Sequence, residues 1–294
     1  MLRVHLIDGT YELYRAHFAP RPGHASPAGV DVKATVGVVG SLLALLSDEG
    51  EAVTHVAVAF DNPIRSFRND LFPYYKSDEG VPPELRSQFD AVEEAVSAIG
   101  VAVWSMREYE ADDALAAGAR KFRDQVDQVR IMTPDKDLGQ CIWGDRVVQV
   151  DRRQRKVTDE EAFRALRGFP PRSMPDYLAL TGDTADGIPG LAGFGEKSAS
   201  MVVGAYERLE NIPEHAHEWK VKPRGALALA STLAEHRSDA LLYRKLATLV
   251  DTAPLPHSLE DLRWLGVPRE RFEAWCDELA VGTLRTSPKR YRES

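Results

Sequence analysis

The chain has 294 residues, with 37 Lys and Arg against 45 Asp and Glu, and a formal net charge of −8. That length accommodates one large α/β domain and a small second one, and a 44% hydrophobic content excludes a disordered chain. Cys141 and Cys276 stand far apart without CxxC or Cys/His spacing, MLRVHLIDG lacks the regions of a signal peptide, and no apolar run reaches the ~20 residues of a membrane span. A disulfide framework, a structural zinc site and a membrane partner are therefore set aside, and a cytoplasmic protein is expected.

In chain order, RVHLID reads as a strand at about 3–8 and leads to a helix around Tyr11 to Ala19. An apolar stripe from Val32 to Leu46 predicts a second helix, and THVAVAF predicts a second strand at about 55–60. From Pro63 to Pro83 the chain is polar, aromatic and rich in turn formers, an excursion beyond the sheet. ELRSQFDAVEEAVSAIG then reads as a helix ending at Gly100, VAVWSM as a strand, ADDALAAGARKFRD as a helix and QVRIMT as a strand. This alternation predicts an α/β fold with a mainly parallel central sheet flanked by helices. A hairpin-like pair, DRVVQVD and RKVT, follows at about 145–158. Past about Ser173 the pattern turns to helices and short loops. The expected division is an α/β domain over 1–173, a helical subdomain over 174–255, and a C-terminal helix with a basic tail over 256–294 that packs back on the first domain.

The predicted strands stop at acids. RVHLID ends in Asp8, HVAVAFD in Asp61, and RIMTPDKD in Asp135 and Asp137. In open α/β sheets the functional crevice lies beyond the carboxyl ends of the strands, where residues distant in sequence can meet. Glu110, Asp112 and Asp113 stand where a loop enters the Ala-rich helix, and Asp183 and Asp186 lie in LTGDTADGIPG. Each has an ordinary explanation alone: acids in a first helical turn complement the helix dipole, and Asp beside Gly or Asn is common turn chemistry. Their concurrence is what points further. Two carboxylates about 4 Å apart repel by roughly 4 kcal/mol at an effective dielectric of 20, a conflict that divalent cations resolve. Hard ions such as Mg²⁺ are held by a few carboxylates with water and phosphate oxygens, and a pair of them can clamp a phosphoryl displacement.

LAGFGEKSAS places Gly193 and Gly195 ahead of a helix carrying Lys197 and Ser198. A glycine turn at a helix N-terminus is a phosphate site in one reading and a plain helix-to-helix turn in the other. No strand precedes it, so it is not a dinucleotide fingerprint. A net negative charge argues against nucleic acid as a partner. Nine of the acids, however, belong to the suspected metal site, and basic residues cluster at Arg152 to Lys156, at Lys220 to Arg224, and from Arg285 to Arg292.

Taken together, LIDG, AFD, the FR…YYK segment, YEADD, TPDKD, LTGDTADGIPG and GFGEKSA, in this order, resemble the bacterial 5′-nuclease family. That family includes the N-terminal nuclease domain of DNA polymerase I, standalone exonucleases and phage relatives, with flap endonucleases as cousins. The resemblance covers Leu2 to about Val250 and implies a PIN-like nuclease fold, here standalone, with a helix-three-turn-helix subdomain. It implies that Asp8, Asp61, Glu110, Asp112, Asp113, Asp135, Asp137, Asp183 and Asp186 bind two or more Mg²⁺ or Mn²⁺ ions. Lys76 would offset charge at the scissile phosphate, Tyr75 would stack on a base, and Arg15 would be a basic residue near the site. Gly193, Gly195, Lys197 and Ser198 would grip duplex backbone and hold K⁺. The implied activity is metal-dependent 5′-to-3′ exonuclease and flap endonuclease action in DNA replication and repair, by a monomer, on DNA with a 5′ end, flap or single-strand/duplex junction. Two departures stand out: Glu79 occupies the place of an expected arginine, and the usual SDN reads Ala185, Asp186, Gly187. Glu79 motivates the alternative, a structure-specific DNA-binding paralogue without catalysis.

Overall fold

The computed structural model describes residues 1–293. Its strands are β1 (Arg3–Asp8), β2 (His55–Asp61), β3 (Ala102–Met106), β4 (Gln128–Met132), β5 (Val147–Asp151) and β6 (Lys156–Thr158). The longer helices are α1 (Gly9–Phe18), α2 (Lys33–Leu46), α3 (Phe89–Ala98), α4 (Ala111–Phe122), α5 (Glu160–Arg167), α6 (Met174–Thr181), α7 (Glu196–Tyr206), α8 (Ala226–Glu235), α9 (Arg237–Ala247) and α10 (Arg269–Glu278). No helix among the described residues is long and apolar enough to cross a membrane.

Two compact units divide the chain. The first comprises Met1–Arg65, Asp78–Thr133 and the chain from Asp251 onward; the second comprises Ser66–Ser77 and Pro134–Val250. In the first, β3, β2, β1 and β4 lie side by side in that order, all parallel. Every residue of β2 is buried, as in a strand covered on both faces, which is why its VAVAF stretch, residues 56–60, is continuously apolar instead of alternating. The Ala-rich sequence of α4 has a packing reason. At Gly118 an added Cβ would lie 2.8 Å from the Trp104 ring and 3.0 Å from Leu6, so only a helix of small residues fits that close to the sheet. The C-terminal chain is tied in by polar contacts, with Trp264 Nε1 donating to Ile99 O (3.0 Å) and Lys121 Nζ to His257 O (2.8 Å).

The second unit holds the antiparallel β5–β6 hairpin and helices α5 to α9 around its own apolar core, which includes Phe163, Phe169, Leu178, Phe194 and Val202. Its membership differs from the division expected at Ser173. The turn over Lys136–Cys141 belongs with the helices, because Gln140 Nε2 donates to Ala247 O (3.1 Å) and Gln140 Oε1 accepts from Leu249 N (3.0 Å). The excursion expected over 63–83 is also split. Fully buried Arg68 donates from Nε to Leu246 O (2.8 Å) and from Nη2 to Thr248 O (3.1 Å), capping the C-terminal end of α9. Tyr75 joins the same unit's core.

Candidate metal centre

In the first unit, Asp8 ends β1 and caps α1, its Oδ1 accepting from Tyr11 N (2.8 Å) and its Oδ2 from Thr133 Oγ1 (2.9 Å). Asp61 ends the neighbouring β2. Because Asp8 pairs with Ala59, Asp61 reaches two residues further, about 6–7 Å along the strand direction. Its Oδ1 accepts from Ala111 N (2.7 Å), which fixes the start of α4 to the end of β2. Glu110 caps that helix, and Asp113 Oδ2 accepts from Glu110 N (3.0 Å). Asp8, Asp61, Glu110 and Asp113 are all buried, whereas Asp112 is half-buried. Burial of four carboxylates goes beyond what helix capping needs, since buried charges require pairing or a metal.

The second unit holds the remaining four acids. Asp137, Asp183 and Asp186 each present an oxygen, and these oxygens lie within 4.8 Å of one another. Asp135 starts the turn that carries Asp137, accepting from Asp137 N (2.9 Å), but its own side chain is exposed. Asp183 sits in a loop closed on itself, with Asp183 N donating to Ile188 O and Ile188 N to Asp183 O, both 2.8 Å. Asp183 Oδ1 also accepts from Ala185 N (2.9 Å). Burial, with Asp135 adding to it, pushes the Asp137 carboxyl up to about 8. Such a carboxyl is uncomfortable as an anion unless a cation adjoins it.

A cation does adjoin it, and it was not among the residues singled out by motif. Lys136 Nζ lies 3.3 Å from Asp137 Oδ1 and contacts Asp183 Oδ2. Burial alone would lower the Lys136 ammonium, yet Asp137, Asp183 and Asp135 together raise it. Its signal lay inside the DKD motif, between two residues read as ligands.

Lys76 and Tyr75 are both tied to Asp186. Lys76 Nζ lies 3.1 Å from Asp186 Oδ1, Lys76 N donates to Asp186 O (3.0 Å), and Tyr75 OH donates to Asp186 Oδ2 (3.3 Å). The ring of Tyr75 is only 4% exposed, so the expected stacking platform is a core residue; its neighbour Tyr74, at 80% exposed, is the ring in this segment that solvent reaches. Arg15 is engaged elsewhere, with Nη2 donating to the Glu12 carboxylate and to Ser41 Oγ (2.9 Å) between α1 and α2. Glu79 is exposed, and the nearby Arg86 pairs with Asp78.

The glycine turn stands at the N-terminus of α7. Gly193 has φ +85°, a left-handed conformation that favours glycine, and buried Phe194 anchors the turn. Gly195 N donates to Ser198 Oγ, which in turn donates to Gly195 O, both 3.0 Å, while Gly195 and Lys197 are exposed.

Comparison with known proteins adds to this geometry. Residues 3–168 match the model of the 5′-3′ exonuclease N-terminal resolvase-like domain, and residues 169–270 that of the 5′-3′ exonuclease C-terminal SAM fold. The chain is 34% identical over 280 residues to DNA polymerase I of Bacillus caldotenax, covering 93% of this chain and 31% of that protein. It is 33% identical to the thermostable DNA polymerase I of Thermus aquaticus, covering 96% of this chain and 32% of that one. The chain thus spans about a third of the length of these relatives. Among solved structures, the 5′-exonuclease of T5 with bound zinc has a TM-score of 0.66 at 14% identity, covering 95% of this chain and 98% of that one. The catalytic core of Rad2 in complex with DNA substrate has a TM-score of 0.59 at 15% identity, covering 94% and 86%. At these identities the structural likeness establishes the fold: a mostly parallel sheet flanked by helices, with a helical second domain.

Proposed function

Because this chain belongs to the 5′-3′ exonuclease family, we propose that it is a divalent-metal-dependent 5′ nuclease hydrolysing phosphodiester bonds in DNA that carries a 5′ end, a flap or a single-strand/duplex junction. The observation that carries this reading is the convergence of Asp137, Asp183 and Asp186 beside Lys76, within one unit of a chain of that family. The donor set is all carboxylate. Hard oxygen ligands of this kind suit Mg²⁺ or Mn²⁺ over softer metals.

Bound divalent ions supply activation of water and neutralisation of charge on a phosphate. The protein's own part is placement. Within the second unit Asp137, Asp183 and Asp186 would hold an ion, and within the first unit Asp8, Asp61, Glu110 and Asp113 are proposed as metal ligands in their own right. Lys76 brings an ammonium to Asp186, where a scissile phosphate meeting the ions would also meet a positive charge. The exposed turn at Gly193 and Gly195, with Lys197, presents the N-terminus of α7 and a cation to duplex phosphates without reading sequence, and K⁺ is the ion proposed for its backbone oxygens. Tyr74 is the ring proposed to meet the single strand.

A labelled 5′-flap duplex incubated with Mg²⁺ or Mn²⁺ tests the reading. Cleavage near the junction is expected, and Asp183→Asn should reduce it at least about 100-fold. Exposed Glu79 favours a second reading, a DNA-binding protein that does not cut. Intact substrate at enzyme excess in both metals, with tight junction binding, would establish that one instead.

A further inference from the structure

Asp137, Asp183 and Asp186 bring three carboxyl groups together, one oxygen of each within 4.8 Å of the others, and two lysines already lie against them. Lys76 takes Asp186 at 3.1 Å, while Lys136 spans the other two, 3.3 Å from Asp137 Oδ1 and in contact with Asp183 Oδ2. The two lysines differ in how they are held. Lys76 meets Asp186 twice, through its ammonium and through its backbone N–H donating to Asp186 O at 3.0 Å, and its side chain is 22% exposed. Lys136 begins a turn at the surface and is 39% exposed along its side chain, while the carboxylates it bridges are 7% and 6% exposed. Its four-carbon stem can therefore swing its charge into solvent, whereas the acids cannot follow.

We propose that Lys136 is a built-in cation that occupies the Asp137–Asp183 pair and competes with divalent ions for it, so that binding an ion there requires the ammonium to leave. This rests on the metal-dependent reading above. An ion ligated by Asp137 Oδ1 and Asp183 Oδ2 needs the oxygens that Lys136 now engages. Left in place, the ammonium would repel a cation held by the same two oxygens, since like charges at close range oppose each other. Lys136 thereby keeps the acid pair neutralised without metal and raises the ion concentration at which it fills. It also holds Asp183 and Asp137 at ligand spacing until an ion replaces it.

The test uses the whole chain without DNA and Mn²⁺ alone, with binding read by calorimetry and by the spectrum of free Mn²⁺. Lys136→Met and Lys136→Gln should each tighten Mn²⁺ binding about tenfold, while Lys136→Arg, which keeps the charge, should stay within about threefold of the native chain. The neutral variants should also melt lower than the native chain in chelator and recover that loss in saturating Mn²⁺, because the ion replaces the missing charge. Native chain that binds Mn²⁺ while both neutral variants bind equally or more weakly would overturn the competition and leave the metal reading standing. Native chain with no Mn²⁺ binding at all would overturn both.

Discussion

Asp186 serves neighbours of different character, an ammonium on one oxygen and a phenol on the other. The phenol belongs to a ring buried in the second unit's core, which settles how substitutions there should behave. Tyr75→Ala should cost about 3–5 kcal/mol of stability, as loss of a buried aromatic does. Tyr75→Phe keeps the ring and removes one long hydrogen bond, so about 0.5–1.5 kcal/mol is expected. Tyr74→Ala, at an 80% exposed position, should leave stability within about 0.5 kcal/mol and instead weaken binding to single-stranded DNA by about 1–3 kcal/mol. Urea unfolding and a fluorescence binding titration on the three variants separate the cases. Weakened binding by Tyr75→Ala at undiminished stability would return the stacking role to Tyr75. At this scale the sequence was informative about which residue types recur and uninformative about which of two adjacent tyrosines faces inward. A YY pair in a loop carries no periodicity from which a direction can be read.

Glycines show how elements are brought close enough to make these contacts. LIDG looked like ordinary turn chemistry, yet Gly9 lies in the first turn of α1, and a Cβ there would fall 2.5 Å from Phe60 and 2.6 Å from Val58. What it permits is the approach of α1 to β2, a fact about a neighbour fifty residues away that local pattern cannot encode. Gly187 is the sharper case. It replaces the expected asparagine, has φ +73°, and an added Cβ would lie 2.3 Å from the Tyr74 carbonyl oxygen. Backbone cannot yield as a side-chain tip can, so the 183–188 loop or the Tyr74–Lys76 segment must shift. Gly187→Ala is therefore expected to cost about 1–3 kcal/mol and to lower cleavage more than Gly9→Ala does, because the shift falls on Asp186 and Lys76. Parallel denaturation and single-turnover cleavage measurements on the two variants check this; equal losses of activity at matched stability would show that the loop register is immaterial to catalysis.

Across the whole molecule, strand and helix types were legible because their apolar periods are local, while unit membership was not. The boundary expected near Ser173 follows the change from βα rhythm to helices, but Asp135 and Asp137 side with the helical unit through Gln140, and Ser66–Ser77 joins it through Arg68. Both links are side chain to backbone over more than a hundred residues. The first unit has a polar tie of its own away from the acids. On β1 and β4, buried His5 and Arg130 meet at Glu51: Arg130 Nε lies 2.7 Å from Glu51 Oε2, Arg130 Nη2 donates to Oε1 (3.0 Å), and His5 Nε2 lies 3.1 Å from Oε2. The hydrogen bond to His5, outweighing burial and aided by Arg130, holds the Glu51 carboxyl down to about 2, and burial holds His5 below its ordinary value. Both folded values lie below the unfolded ones, so both groups bind more protons when unfolded. Their contribution to stability is then complete near neutral pH and is lost on acidification, beginning below about 6.5 for His5 and continuing from about 4.5 towards 2 for Glu51. Water reaches part of the Glu51 carboxylate, which reduces its share to about 2 kcal/mol. Glu51→Gln should accordingly be less stable than the native chain at pH 7, and the difference should shrink steadily below about pH 4.5 and vanish near pH 2, in guanidinium unfolding carried out in chelator so that the acidic clusters contribute equally to both. A difference between the two chains that stays constant from pH 7 to 3 would show that Glu51 supports the sheet by packing, without a depressed carboxyl.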